Sequence, residues 1–235
     1  CFLLPLVAAY EFGSAYFLAG DQAGAARTIR AERLLSSCFE IFGVGGLYLP
    51  GLLLLVVLLI WHLLTRDRWR IRPAVPAWMT IESIFWTMPL LVIGQMVFRL
   101  FQSPPQLVAP ALAGGTDSAL GSLSTPARAT IAVGAGLYEE LLFRLVGIAL
   151  VHAVAADLLR IKDGPAKAIA IFISAAAFAF YHDVMMPTGG IDPARLAIFT
   201  LAGLYFGTIF VLRGFGIVVA VHALYDLAVL VLLPR

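Results

Sequence analysis

The sequence predicts an all-α membrane protein, a polytopic helical bundle of about seven transmembrane helices. Three observations predict it. Of the residues 61% are hydrophobic and only 13% charged, a balance that soluble domains do not show. Long uncharged apolar stretches recur, the longest from Ile41 to Leu64, and such a stretch crosses roughly 30 Å of hydrocarbon at about 1.5 Å per residue. Strand-like alternation is absent.

In chain order, the first span runs from Phe2 to Ala19, interrupted by Glu11. The chain begins at Cys1 rather than methionine, which reads as a truncated start; a removed signal peptide or a lipoprotein cysteine are the alternatives. The second span is Ile41 to Leu64 and the third Ala77 to Phe101, with Glu82 about one turn inside it. Gln102 to Pro126, rich in Pro, Gly, Ser and Thr, reads as a loop that separates an N-terminal membrane part, residues 1–126, from a C-terminal core, residues 127–235. That core holds four further spans: Arg128 to about Leu150, Ala166 to Tyr181, Ala194 to Leu212 and Phe215 to Leu233. Neither an internal repeat nor a sustained heptad is visible, so an inverted-repeat transporter gains no support from symmetry.

The net charge is +2, with positive charge concentrated in Arg66-Asp-Arg68-Trp-Arg70-Ile-Arg72. Basic residues at membrane exits follow the positive-inside rule, so a cytoplasmic anchor is the reading and nucleic-acid binding is not. Alternation then puts Arg160, Lys162, Lys167 and Arg213 inside as well, while Arg27, Arg30 and Arg33 fall outside, against the rule. The two cysteines, Cys1 and Cys38, suggest neither a disulfide framework nor a thiolate metal site.

Three polar clusters interrupt the apolar spans of the core. Glu139 and Glu140 lie side by side in an apolar segment, with Arg144 one turn beyond. Carboxylates at membrane depth cost several kcal/mol each on insertion scales, so an intramembrane pair is a functional hypothesis by default. Glu140 and Arg144 stand four apart, the acid N-terminal to the base, in the order that favours an ion pair on one helix face. Glu140 therefore reads as structural. Glu139 points about 100° away from that pair and has no partner in its own helix, which leaves it available as a base. The bland alternative is that both acids are neutralised packing groups.

His182 closes the apolar run Phe178-Ala-Phe-Tyr-His182 before the flexible stretch Asp183 to Asp192. It reads equally as an interfacial residue, a base or a ligand. His222 and Asp226 in the last span are four apart and share a face; Asp226 can hold His222 in one tautomer or take part directly. Counting residues from the span ends places Glu139 about 18 Å along its helix and His222 about 10 Å from the opposite face, at one level of a slab roughly 30 Å thick. On the same count His182 falls nearer the surface. Glu11, Glu82, His62 and His152 lie toward span ends and read as structural or interfacial, and Gly203 and Gly207, four apart, as a close-packing face.

These residues resemble the CAAX prenyl endopeptidase and bacteriocin-processing family of intramembrane proteases, also described as the Abi family. Its motifs Glu-Glu-x-x-x-Arg, Phe-x-x-x-His and a final His-x-x-x-Asn or Asp stand here as Glu139-Glu140-Leu-Leu-Phe-Arg144, Phe178-Ala-Phe-Tyr-His182 and His222-Ala-Leu-Tyr-Asp226, in order and on separate spans. The resemblance covers about Arg128 to Leu233. It implies a peptide-bond hydrolase in which Glu139 and His182 activate water while His222 and Asp226 stabilise the oxyanion or orient the scissile carbonyl. The final Asp departs from the Asn of eukaryotic prenyl proteases, and a charged Asp226 cannot donate a hydrogen bond.

Glu139, His182 and His222 are also the candidate ligands of a divalent metal such as Zn²⁺, although His-Glu-x-x-His is absent and the three come from different helices. A metal-free glutamate mechanism is preferred. The expected partners are a membrane-associated peptide or protein substrate and the lipid bilayer, with no nucleic acid, and the expected location is a bacterial-type cytoplasmic membrane. Other classes that put acids and histidines at mid-depth are a proton-coupled transporter and a non-enzymatic immunity or scaffold protein. A transporter would show broken helices and a continuous polar path, a protease would set Glu139, His182 and His222 around one pocket with space for a scissile carbonyl, and an inert partner would leave its polar groups mutually paired and inaccessible.

Overall fold

A computed structural model describes residues 2–18, 30–41, 49–65, 72–101, 123–186 and 189–233. The described residues are almost entirely helical. Helix α1 (Leu4–Gly13) continues as a π-helical turn, Ser14–Leu18; α2 spans Arg30–Ile41, α3 Leu49–Thr65 and α4 Ala74–Phe101. Helix α5 (Thr125–Glu140) runs on unbroken through a π-helical stretch, Leu141–Ile148, an α-helical turn, Ala149–Ala153, and a second π turn, Val154–Leu158. Then come α6 (Asp163–Tyr181), α7 (Pro193–Arg213) and α8 (Phe215–Leu227), the last extended by Ala228–Leu232.

Five of these segments are long and apolar enough to cross a membrane: α4, the whole of Thr125–Leu158, α6, α7, and α8 with its extension. The span expected over Ile41 to Leu64 starts, among the described residues, at Leu49, and its apolar part Pro50–Leu63 is shorter. Helix α2 is an element that apolar runs did not anticipate, because its polar and apolar residues alternate around the helix. The Arg66 to Arg70 cluster, Cys1, and residues 102–122 of the expected loop lie outside the described residues.

Helices in the core begin earlier, and some end later, than charge placement suggests. Thr125 and Pro126 are already helical, because Ser124 caps α5 by accepting from the Ala127 N–H at 3.4 Å. Asp192 caps α7 in the same way, accepting from Ala194 N at 2.9 Å and Arg195 N at 3.2 Å. A charged side chain does not stop a backbone ladder; a capping side chain with Pro in the first turn starts one.

Helix α5 is the hub, with α8 against one side and α1 against another, while α6 and α7 pair with each other and α4 covers α7 and α8. Small residues set the closest approaches. A Cβ on Gly136 would lie 2.8 Å from the Val219 carbonyl oxygen and 2.9 Å from Ala223 N, so α5 and α8 touch backbone to backbone there. At Gly203 the corresponding position is 2.8 Å from Ala175 Cα, which joins α7 to α6 as its spacing to Gly207 suggests. Trp78, Phe85, Met88 and Met96 on α4 remain exposed, as expected of a face turned to lipid.

The connection from α6 to α7 is ordered where it is described. Val184 O accepts from Asp192 N at 2.8 Å, Gly190 O accepts from Met186 N at 2.9 Å, and Met185 faces Ile191 in an antiparallel bridge. The flexibility expected of Asp183 to Asp192 thus gives way to a small hairpin, closed where Gly189 and Gly190 adopt φ of 87° and 89°, a region open to glycine at no steric cost.

Candidate active site

Glu139 and Glu140 end the α-helical part of α5, and the π-helical stretch begins at the next residue. Insertions of this kind recur at functional positions, since they re-aim side chains within a helix. Arg144 Nη1 stands 3.0 Å from Glu140 Oε1, both side chains fully buried. The guanidinium also donates from Nη2 to the Gly203 carbonyl at 3.3 Å and lies over the rings of Phe178, at 4.3 Å, and Phe206, at 5.3 Å. Ser174 of α6 donates to the Phe143 carbonyl at 2.8 Å inside the π stretch. A charge whose burial would otherwise be costly is therefore compensated by groups from α5, α6 and α7 together.

His182 follows the last residue of α6. Its Nδ1 lies 2.8 Å from the Phe178 carbonyl, a helix-end oxygen free to accept, so Nδ1 carries the hydrogen and Nε2 presents a lone pair. The ring stacks on Phe199 of α7, centroids 4.2 Å apart, and Nε2 points to Glu139 Oε2 at 3.5 Å. His222 stacks on Phe206 at 4.6 Å, and its Nε2 lies 3.9 Å from Glu139 Oε2 and 3.4 Å from Asp226 Oδ2.

The structure thus brings Glu139, His182, His222 and Asp226 together from three helices, all of them at most 3% exposed. Tertiary geometry brings His182 alongside Glu139 despite the level that residue counting assigns it. Glu139 Oε2, His182 Nε2 and both Asp226 oxygens have no hydrogen-bond partner among the described residues. Buried polar atoms are normally satisfied, and among these Glu139 Oε2 and His182 Nε2 lie 3.5 Å from each other.

One contact is added to those expected. Sequence spacing couples His222 to Asp226 and reserves Glu140 for Arg144, but His222 Nδ1 is hydrogen-bonded to Glu140 Oε1 at 2.7 Å. Asp226 faces the other ring nitrogen. Glu140 therefore holds the histidine as well as the arginine, a contact between α5 and α8 that no spacing within one helix encodes. The rings of Phe199 and Phe206, and the Gly203 carbonyl, were likewise invisible as site components; only the i, i+4 step between Gly203 and Gly207 hinted at the close packing that exposes that carbonyl.

The polar residues read as structural have partners elsewhere. Tyr138 Oη donates to Glu11 at 3.3 Å, joining α1 to α5. Glu82 takes a bidentate pair from Arg213, Nη2 to Oε2 at 2.8 Å, and a bond from Trp86 Nε1 at 3.1 Å. His152 meets Asp163 at 3.0 Å.

The candidate ligands Glu139, His182 and His222 have the donor types of a zinc site, and unsatisfied Oε2 and Nε2 atoms face one another. As arranged, however, no group of three His, Cys, Asp or Glu side chains among the described residues could hold a metal ion.

Residues 121–228 match the family model described as type II CAAX prenyl endopeptidase Rce1-like. No curated protein and no solved structure matches the chain.

Proposed function

With residues 121–228 matching the Rce1-like type II CAAX prenyl endopeptidases, we propose that this integral membrane protein is an intramembrane endopeptidase that hydrolyses a peptide bond in a membrane-associated substrate of the prenylated CAAX kind. The proposed setting is a bacterial-type cytoplasmic membrane. The observation that carries the reading is the convergence of unsatisfied Glu139 Oε2, His182 Nε2 and Asp226 carboxylate oxygens in a fully buried cluster.

In the proposed reaction a water molecule lies to one side of Glu139 Oε2 and His182 Nε2, which stand 3.5 Å apart, and donates a hydrogen to each. Glu139 takes one proton as the water oxygen attacks the scissile carbonyl carbon, and His182, with its own hydrogen committed to the Phe178 carbonyl, orients the water through its lone pair. Charge then develops on the carbonyl oxygen. Glu140 Oε1 fixes the His222 ring through Nδ1, and Nε2 stands 3.4 Å from Asp226 Oδ2; in the proposed step this pair faces the oxyanion and supplies a hydrogen to it. Asp226 orients that ring or donates to the same oxygen from a protonated carboxyl. When the C–N bond breaks, Glu139 passes its proton to the departing amine, leaving a new carboxyl terminus.

Glu139→Gln keeps the shape and removes the base, so cleavage should fall by about 10²–10⁴-fold with the protein still inserted. The measurement is a comparison of membrane peptides in cells carrying wild type and Glu139→Gln, followed by the purified proteins on any peptide whose cleavage disappears. Wild-type turnover by purified Glu139→Gln would sink the proposal.

A further inference from the structure

Arg195 is an unusual residue for its position. It sits in the first turn of α7, where the helix macrodipole disfavours a cation, and it is only 9% exposed. Two acids offset that placement: Arg195 Nη1 lies 3.6 Å from Asp183 Oδ2, and Nε lies 3.6 Å from Asp192 Oδ2. Nη1 also donates to the Asp183 backbone carbonyl at 3.3 Å. Asp183 follows His182 directly and Asp192 precedes α7, so one guanidinium ties both ends of the hairpin. One turn along the same face of α7, Phe199 stacks on the His182 ring.

The end of α6 explains why His182 needs such support. Its φ and ψ of −80° and 162° place it outside the helix, and its backbone N–H reaches only the Ala179 carbonyl, at 3.3 Å. The backbone beyond it has no helical ladder to fix the direction of the side chain. The Phe178 carbonyl sets the ring nitrogen, Phe199 sets the ring plane, and Arg195 sets the peptide that follows.

We propose that Arg195 is a positioning residue, which by clamping Asp183 and Asp192 holds His182 Nε2 against Glu139. The inference rests on the endopeptidase reading only for its kinetic consequence; the geometric claim stands apart from it. Misplacing a reacting group by about 1 Å can cost on the order of 10²-fold in rate, so Arg195→Ala should lower kcat by about 10- to 100-fold with KM within about twofold. Arg195→Lys restores one donor without the fork and should recover part of the loss.

The experiment uses the full chain in detergent micelles with ¹⁵N-labelled histidine, the His182 signal being identified by its loss in His182→Gln. In Arg195→Ala that signal should shift and broaden while the His222 signal keeps its position, and in Arg195→Lys it should return toward wild type. In parallel, the same proteins are given a quenched farnesylated peptide ending in a CAAX sequence. If wild type leaves that peptide intact, the substrate proposal fails while the His182 spectrum still decides the role of Arg195. An unchanged His182 signal in Arg195→Ala overturns the clamp, as does a loss of folded yield with wild-type kcat per folded molecule. Should Arg195→Ala not fold, Asp183→Asn removes one arm at an exposed position and must move the same signal; no movement there also overturns it.

Discussion

At the scale of single residues, Glu140 has two tasks that spacing alone separates poorly. Its Oε1 lies 3.0 Å from Arg144 and 2.7 Å from His222 Nδ1, so the group that neutralises the arginine also orients a catalytic candidate. Glu140→Gln leaves the buried guanidinium without its counter-charge, a loss of about 3–5 kcal/mol when one member of a buried pair is removed. The expected result is reduced folded yield together with lower turnover per folded molecule, measured by size-exclusion yield and by cleavage normalised to it. Normal yield and normal turnover would show that the amide suffices at both contacts. Glu139 differs in kind: its Oε2 has no hydrogen-bond partner among the described residues, so its replacement should act on chemistry and leave yield intact. The spacing rule separated the two acids, because Glu140 and Arg144 share one helix. That rule had no means of finding His222, which arrives from another.

At the scale of elements, the contact between α5 and α8 decides whether the motifs meet. Gly136 sits one turn before the glutamates, and a Cβ there would press on the Val219 carbonyl and on Ala223 N at 2.8 and 2.9 Å. Those are backbone atoms and cannot move aside cheaply. Gly136→Ala should therefore destabilise the protein by roughly 1–3 kcal/mol through overpacking. Gly207→Ala meets side-chain atoms, Ile171 at 3.1 Å and Ile148 at 3.6 Å, and should cost less. Thermal unfolding of the two variants in the same detergent orders them, and an equal or reversed order would refute the backbone-contact argument. The π-helical stretch after Glu140 belongs to this scale too. Apolar periodicity in Leu141–Ile148 is compatible with an ordinary helix, and the Ser174 hydroxyl that bonds the Phe143 carbonyl comes from another helix, which periodicity does not record.

At the scale of the whole molecule, the antiparallel pair α6 and α7 puts the 159–162 turn at one end of the bundle and the Asp183–Asp192 hairpin at the other. Both α6 and α7 are long and apolar enough to cross a membrane. In a background with Cys1 and Cys38 replaced, a cysteine at Lys162 and one at Met185 should react with a membrane-impermeant maleimide from opposite sides of sealed vesicles. Labelling of both from one side would contradict the transmembrane topology.

Composition and apolar run length were enough to establish a helical membrane protein, since a chain with 61% hydrophobic residues can satisfy its backbone in lipid only by regular structure, and strand alternation is missing. Glu139, His182, His222 and Asp226 stood out as candidates for a related reason: ionisable groups are costly in hydrocarbon. Span ends were less legible, because Ser124 and Asp192 start helices through cap bonds while charged residues nearby do not end them. What only the tertiary structure decided is which groups answer one another across helices. The Glu140–His222 bond, the Gly203 carbonyl under Arg144 and the Arg195 clamp beside His182 depend on the rotation and approach of separate helices, and a one-dimensional pattern records the faces of each helix without recording what those faces meet.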